Sequence, residues 1–444
     1  MIESWDALCA RLSSTPGLKP VGLRRVAIGA DALAALPAIV SELRAGRAGD
    51  VVLLRDDTPK WTDGDEVHDL VKRLLADGVS EFVLSGPAGH VYADEGTTGI
   101  AVAGASRAGV IVTVGSGTLA DLGKMAAAGT GAPHVIVQTA ASVNGFADNQ
   151  SVLLRSGVKR TVTSCWPDAL VVDAGILAGA PPVLTRAGVG DLLSMFTAPA
   201  DWLLATEAGF PSGYQQSVVD LVRPHGERLL SLVPALAAGE PEALAVLAEL
   251  LTLSGVGMGV TGSTAPSSGM EHLISHLLDM RASAGGHPAA PHGAQVGVGC
   301  LVAAETWERV RAALSGPTAA PIRLPDPDSA LRRVEDAFLP LDPSGRIARE
   351  CWNAYAAKLR ALEPVLPRLR RLVADWGAVD DRFGGLLLGR DRLADALGTL
   401  GGPTSFDELR PEYTVDVANW AVVNAHLMRD RFTIADLADL LSVQ

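Results

Sequence analysis

Aromatic residues make up only 5% of this 444-residue chain, and it has just four cysteines. Cys9, Cys165, Cys300 and Cys351 are scattered, with no C-x-x-C spacing. A disulfide-stapled scaffold is therefore excluded, and free thiols in a reducing cytoplasm are expected. Positive charge is also short: 37 Lys and Arg stand against 50 Asp and Glu, a net charge of −13. A general nucleic-acid binder would need a basic face and is excluded, although a local basic pocket for a phosphorylated small molecule is not. The opening MIESWDALCARLSS lacks the basic start and apolar core of a secretory signal. One charge-free run, residues 250–270, has membrane-spanning length. Its second half, GVGMGVTGSTAPSSGM, is full of Gly, Ser, Thr and Pro, which predicts a buried helix entering a loop. A soluble, cytoplasmic protein with no membrane or nucleic-acid partner is expected.

What the chain does have is bulk for burial. Hydrophobic residues are 48% and charged residues 20% of the total. That length exceeds one typical core and fits two domains. Residues 1–180 alternate helical patterns, at 30–45 and 65–78, with short apolar runs at 50–56, 81–85, 110–114 and 134–138; residues 99–108 stay ambiguous. This alternation predicts a Rossmann-like α/β domain with a parallel, doubly wound sheet. From about Pro181 the strand signals fade, and residues 181–444 are expected to form an all-helical domain. Its clearest helices are 241–253, 269–280, 330–337, 344–362 and 366–376, with a Pro-rich joint at 317–329. A cleft between two domains is a usual place for a small-molecule site.

Four of the nine histidines fall between Ser263 and Val296: His272, His276, His287 and His292. His272 and His276 are four apart in a segment with helical spacing, so they share one helix face. His292 follows in Pro-His-Gly, where a turn or helix start could return it to the same cavity. Neutral imidazoles from separate segments suit a borderline divalent ion such as zinc. A third ligand is needed, and Asp191, in the Gly-rich AGVGD, is the best carboxylate upstream. An isolated i,i+4 pair is ordinarily just two helix histidines; the third histidine and the small apolar surroundings favour the metal. A zincin would need Glu directly after the first His, whereas here Glu271 precedes it.

A second signal lies after the 110–114 run, in Gly115-Ser116-Gly117-Thr118-Leu119. A strand, a glycine-rich turn and a helix let backbone N–H groups approach a pyrophosphate. The segment is neither a full G-x-G-x-x-G nor a Walker motif, and a ligand-free tight turn fits it equally well. Asp121 and Lys124 on the following helix could form a solvated pair. Asp56, at a strand end, could accept from ribose hydroxyls.

Taken together, the ordered pieces resemble the glycerol-1-phosphate dehydrogenase branch of the iron-containing alcohol dehydrogenase and dehydroquinate synthase-like superfamily. The pieces are Asp56, TVGSGTLADLGKMAA (113–127), TAASVNGFA (139–147), GVKRT (157–161), AGVGDLLSMFTAPADW (187–202), SGVGM (254–258), SSGMEHLISH (267–276) and HGAQVGVG (292–299). The resemblance implies an N-terminal dinucleotide-binding domain followed by an all-α metal-binding domain. It implies metal ligation by Asp191, His272 and His292, and substrate contact with proton movement at His276. It implies cofactor contacts from Asp56, Gly115, Ser116, Gly117, Thr118, Leu119, Thr139 and Ser142, and it matches Lys124 to a lysine of the family's Gly-rich segment. The implied cofactors are NAD or NADP and a divalent metal, with zinc first and nickel or iron as alternatives; a homodimer is the family's suggestion.

The departures cluster on site segments. The family's S-x-D-G reads Ser142-Val143-Asn144-Gly145, so a substrate-contacting carboxylate becomes the amide of Asn144. A cofactor-contacting serine becomes Asp148, whose charge near a dinucleotide would cost a few kcal/mol unless screened or paired. The S-R-P-A-S-G arginine becomes Ala265, and the proline before Thr139 becomes Gln138. The expected activity is a metal-dependent, NAD(P)-dependent dehydrogenase of a small polyol phosphate or hydroxy-ketone. A non-redox lyase or cyclase of the sugar-phosphate cyclase kind, and a homologue that has lost nicotinamide chemistry, remain as alternatives. His68, His90, His134, His225 and His426 are expected to be packing or surface residues.

Overall fold

The computed structural model describes residues 4–75, 78–86, 89–155, 157–316 and 322–443. The first five residues of the expected joint at 317–329, and residues 76–77 of the expected 65–78 helix, lie outside them. The chain divides into two compact units. One is Met1–Arg155, Lys159–Gly188 and Glu227–Thr264; the other is Ser156–Val158, Val189–Gly226 and Ala265–Gln444.

The first unit is built on strands. In chain order they are β1 (Arg25–Gly29), β2 (Asp50–Asp56), β3 (Trp61–Thr62), β4 (Asp65–Glu66), β5 (Val79–Leu84), β6 (Ala108–Gly115), β7 (His134–Gln138), β8 (Gln150–Arg155), β9 (Val158–Thr163) and β10 (Ala169–Asp173). Six of them form one parallel sheet in the order β1-β10-β7-β6-β2-β5, while β3–β4 and β8–β9 make separate ribbons. The apolar runs of β2, β6 and β7 are unbroken because both faces are covered. Alternate residues serve opposite faces. Val51, Leu53, Val110, Val112 and Val114 pack with Leu36, Ile39, Val40, Val67 and Val71 of the helices Leu36–Arg44 and Val67–Leu75. Leu54 and Ile111 pack with Ala101 of Glu95–Gly104 and with Leu119, Leu122 and Ala126 of Gly117–Thr130. From β2 the chain runs outward to β5, then returns to β6 on the other side of β2. The carboxyl ends of β2 and β6 therefore flank the point where the strand order reverses, the usual ligand crevice of such sheets.

Residues 227–264, expected with the helical part, group with the sheet unit. Their main element is the helix Pro241–Thr261, which is long and apolar enough to span a membrane; 89% of its most apolar window is buried inside the protein. A helix apolar all round is a core helix. Its glycines serve close packing: a Cβ on Gly259 would lie 2.1 Å from the Trp166 ring, and one on Gly255 2.4 Å from Asn144 O.

The second unit is helical almost throughout its described residues. Its main helices are Ala198–Ala208, Met270–Ala284, His292–Leu314, Pro327–Phe338, Arg346–Ala374 and Ile434–Leu441. The sequence reading breaks the fifth near Pro364, but it runs through both Pro364 and Pro367. Each proline forfeits one backbone bond; buried Leu362, Leu369 and Leu372 on the packed face keep the helix intact. A parallel α/β unit and a helical unit are the fold class that the sequence predicts.

Candidate active site

Asp191 lies in the last turn of the helix Pro182–Leu192, His272 in the first turn of Met270–Ala284, and His292 opens His292–Leu314. Their candidate ligand atoms all lie within 4.8 Å of one another. His272 Nε2 stands 3.3 Å from Asp191 Oδ1, and His292 Nε2 3.9 Å from the same oxygen. Asp191 is fully buried, whereas the His292 side chain is 27% exposed. Glycines allow this approach. A Cβ on Gly190 would sit 2.2 Å from Gly293 O, and one on Gly299 2.7 Å from Glu271 O. Main chain thus meets main chain beside each candidate ligand.

Neighbouring groups orient both imidazoles. Glu271 Oε1 lies 3.1 Å from His272 Nδ1; a carboxylate only accepts, so that nitrogen carries the proton and Nε2 turns to Asp191. Ser275 Oγ lies 2.9 Å from His292 Nδ1 and donates its one hydrogen to Gln295 Oε1 at 2.8 Å. Gln295 Nε2 donates to Asp279 Oδ1, Ala290 O and Tyr413 Oη, which fixes the amide's orientation. Ser275 therefore accepts from His292 Nδ1–H, leaving the His292 Nε2 lone pair for a ligand. Burial disfavours a charged His272 ring, but hydrogen bonds to the Asp191 and Glu271 carboxylates outweigh it and push its pKa up to about 9. A cation at the trio would take that proton's place. One carboxylate oxygen and two imidazole nitrogens, each imidazole steadied from behind, suit a divalent transition metal.

His276 lies one turn further along the same helix. Its ring centroid is 6.5 Å from that of His272 and 5.9 Å from that of His292. Arg429 Nη2 lies 3.4 Å from its Nδ1. His287 is half-buried, its Nδ1 beside Pro288 O, and it does not join the Asp191, His272 and His292 donors.

The cofactor candidates assemble in the sheet unit. Leu54 pairs with Thr113, so Asp56 comes level with Gly115 at the carboxyl ends of β2 and β6. Ser116 then precedes the helix Gly117–Thr130 without capping it through its side chain. The first-turn N–H groups and the helix's positive end are available to an anion. Thr118 and buried Leu119 lie in that turn. Thr139 N donates to Gly115 O at 3.1 Å, and Ser142 follows it, both nearly buried. Gln138 Nε2 donates to Ala140 O at 2.9 Å, so the residue standing for the family's proline braces this loop through its side chain. Asp56 Oδ1 accepts from Lys60 Nζ at 2.5 Å, a partner the sequence reading missed.

Two candidates find settings the sequence did not foresee. Asn144 Nδ2 donates to Ser254 Oγ at 3.1 Å, and the residue is 8% exposed. Asp148, read as a cofactor contact, is buried and paired: its Oδ1 lies 2.6 Å from Lys124 Nζ and accepts from Gln150 N. Nor is Lys124 solvated. It is wholly buried, donates to Gly145 O at 2.7 Å and to Gln150 O, and pairs with Asp121 at 3.3 Å. Burial works against its charge, but Asp148 and Asp121 hold it above the usual lysine range. Pairing thus removes the charge conflict expected of Asp148. His134 is sealed in the core beside Thr113 and pushed down to about 3 by burial and by Lys124, a neutral packing residue.

A parallel doubly wound sheet with a glycine-rich turn, and a helical unit bringing together two histidines and an aspartate, are what the resemblance to iron-containing alcohol dehydrogenases implies. Residues 27–181 match the sequence profile of the family described as iron-containing alcohol dehydrogenase. Glycerol-1-phosphate dehydrogenase [NAD(P)+] of Haloquadratum walsbyi is 34% identical over 299 residues, 66% of this chain and 81% of the relative. The enzyme of that name from Bacillus licheniformis is 28% identical over 420 residues, 93% and 88% of the two chains. The crystal structure of maleylacetate reductase from Agrobacterium tumefaciens shares the fold at a TM-score of 0.56, with 16% identity and 96% of each chain covered. The chain belongs to the iron-containing alcohol dehydrogenase family, in its glycerol-1-phosphate dehydrogenase branch.

Proposed function

We propose that this chain is a metal-dependent, NAD(P)-dependent oxidoreductase that interconverts a secondary hydroxyl and a ketone on a small polyol phosphate such as glycerol 1-phosphate. The observation that carries the reading is the meeting of the Asp191, His272 and His292 donor atoms within 4.8 Å. When bound, a divalent ion polarises the substrate oxygen as a Lewis acid and the nicotinamide exchanges hydride with the adjacent carbon. Asp191, His272 and His292 would hold the ion, while Glu271 and Ser275 keep the two imidazoles aimed. His276 contacts the substrate oxygen through Nε2, the nitrogen turned away from Arg429. The Gly115–Leu119 turn cradles the pyrophosphate, with Thr139 and Ser142 beside it. Asn144, amide in place of carboxylate, offers the substrate an acceptor and a donor without charge.

Zinc is the favoured ion, with nickel and iron as alternatives that imidazole and carboxylate ligands equally accept. Asp56 accepts from the adenosine ribose, and Lys60 beside it supplies a cation able to meet a 2′-phosphate, so both NAD and NADP are accommodated. The test is metal analysis of the purified protein together with NAD(P)H formation from glycerol 1-phosphate. Stoichiometric metal, net reduction of the dinucleotide and loss of both in His292→Ala are expected. Dinucleotide binding with product formation but no net redox change would replace this reading with the cyclase one.

A further inference from the structure

Arg429 lies 153 residues beyond His276 in the chain, yet its guanidinium faces that ring. The segment that carries it is tied down on both sides. Lys358, 1% exposed within the helix Arg346–Ala374, donates to the carbonyls of His426 and of Arg431, the latter at 3.2 Å, and pairs with Asp436 at 2.6 Å. Arg431 donates to Ser268 O, in the loop leading into Met270–Ala284. Ile434 N donates to Asp201 Oδ1 at 3.0 Å, while Asp201 Oδ2 accepts from Met270 N at 2.8 Å. Residues 426–434 are thereby fastened to the very turn that presents His272 and His276. The backbone that carries Arg429 is thus anchored on both sides, while the guanidinium itself meets His276 Nδ1 at 3.4 Å; a fork presented from a fixed backbone loses less freedom when a ligand arrives.

The planar fork faces the Nδ1 edge of His276, the ring whose Nε2 is assigned to the substrate oxygen. It is permanently charged, donates only, and matches the oxygens of a phosphomonoester. We propose that Arg429 is the residue that recognises the substrate's phosphate, and so selects phosphorylated over neutral polyols. The inference rests on the reading of the trio as the place where the substrate hydroxyl binds.

The test uses the full-length, metal-loaded protein and its Arg429→Met, Arg429→Gln and Arg429→Lys variants. Inorganic phosphate and glycerol 1-phosphate are titrated calorimetrically, and metal content and melting temperature are measured in parallel. The neutral variants are expected to bind both anions about 10- to 100-fold more weakly, as the loss of a charged, forked hydrogen-bond pair implies, with metal content retained. KM for glycerol 1-phosphate should rise by more than kcat falls. Lysine, a point charge without the fork, should restore binding in part; a purely structural arginine would give no such graded recovery. Phosphate affinity equal in wild type and in a folded neutral variant overturns the proposal, as does a wild type that binds no phosphate. If the wild type holds no metal, the dehydrogenase reading fails, while phosphate affinity that depends on Arg429 still stands for this inference. Should Arg429→Met not fold, Arg429→Gln decides.

Discussion

Replacing Lys124 with methionine keeps much of the side chain's bulk and removes only its ammonium. The consequence can be worked out from its contacts. Nζ lies 2.6 Å from Asp148 Oδ1 and 3.3 Å from Asp121 Oδ1, and it also serves the carbonyls of Gly145 and Gln150. Its side chain has no exposure, and that of Asp148 is 4% exposed. Breaking a buried ion pair by deleting one partner costs roughly 3–5 kcal/mol. Each carbonyl left without its donor adds about 1 kcal/mol. Protonation of Asp148 and slight loop relaxation return part of that, so a net loss of about 4 kcal/mol near neutral pH is expected. Acid should relieve it. Burial already pushes the Asp148 carboxyl up to about 6 against the pull of Lys124, above its unfolded value of about 3.9. A carboxyl raised in this way favours the folded state fully below its unfolded pKa and loses that contribution as pH rises through the folded one. Without Lys124 the folded value climbs further, so the deficit of K124M is largest at about pH 7.5 and shrinks by about pH 5.5. Urea unfolding followed by circular dichroism at both values measures it. The double variant K124M/D148L, with neither charge, should lose less than K124M alone. A loss below about 1 kcal/mol near neutrality, or one that does not shrink in acid, would refute the buried-pair reasoning.

Three further outcomes are expected. Glu271→Gln and Ser275→Ala each loosen an imidazole and should weaken metal affinity by roughly 10- to 100-fold, measured by competition with a chromogenic chelator. Gly190→Ala sets a Cβ 2.2 Å from Gly293 O, which must move the helix start at His292; a stability loss of about 1–3 kcal/mol in thermal unfolding, with weaker metal binding, should follow. Lys60→Ala removes the cation beside Asp56. KM for NADP should then rise about tenfold more than KM for NAD in parallel initial-rate assays.

The chemistry of the trio was legible because residue type and spacing are local facts: an i,i+4 histidine pair, a third imidazole after proline, and a carboxylate in a glycine-rich turn. What escaped depends on residues distant in sequence. Glu271 reads only as the wrong neighbour for a zincin, and nothing in a string shows that it grips His272 Nδ1. Arg429 belongs to no motif. The tie between Lys124 and Asp148 spans 24 residues, so the sequence offered Lys124 only Asp121, three residues away, as a partner. In the sheet, β2, β6 and β7 read directly as strands, whereas β1 and β10, five residues each like β7, went unread, since periodicity alone does not separate so short a run from a buried helix turn. The helix Pro241–Thr261 was expected to stop at Leu253, because Gly255, Gly257 and Gly259 resemble a loop. Two of those glycines make room for Trp166 and Asn144 O, a tertiary reason that overrides propensity.

The Gly190–Gly293 and Gly299–Glu271 crossings bear on how an ion would come and go at the proposed site. Because carbonyls and α-carbons set the gap, repacking cannot widen or narrow it, so the cage keeps its shape when empty. Of the three candidate ligands Asp191 is fully buried, His272 nearly so, and His292 the most exposed to water. Loading and stripping of the proposed ion are therefore expected from the His292 side, so that replacing His292 should alter the rate of metal exchange as well as the affinity.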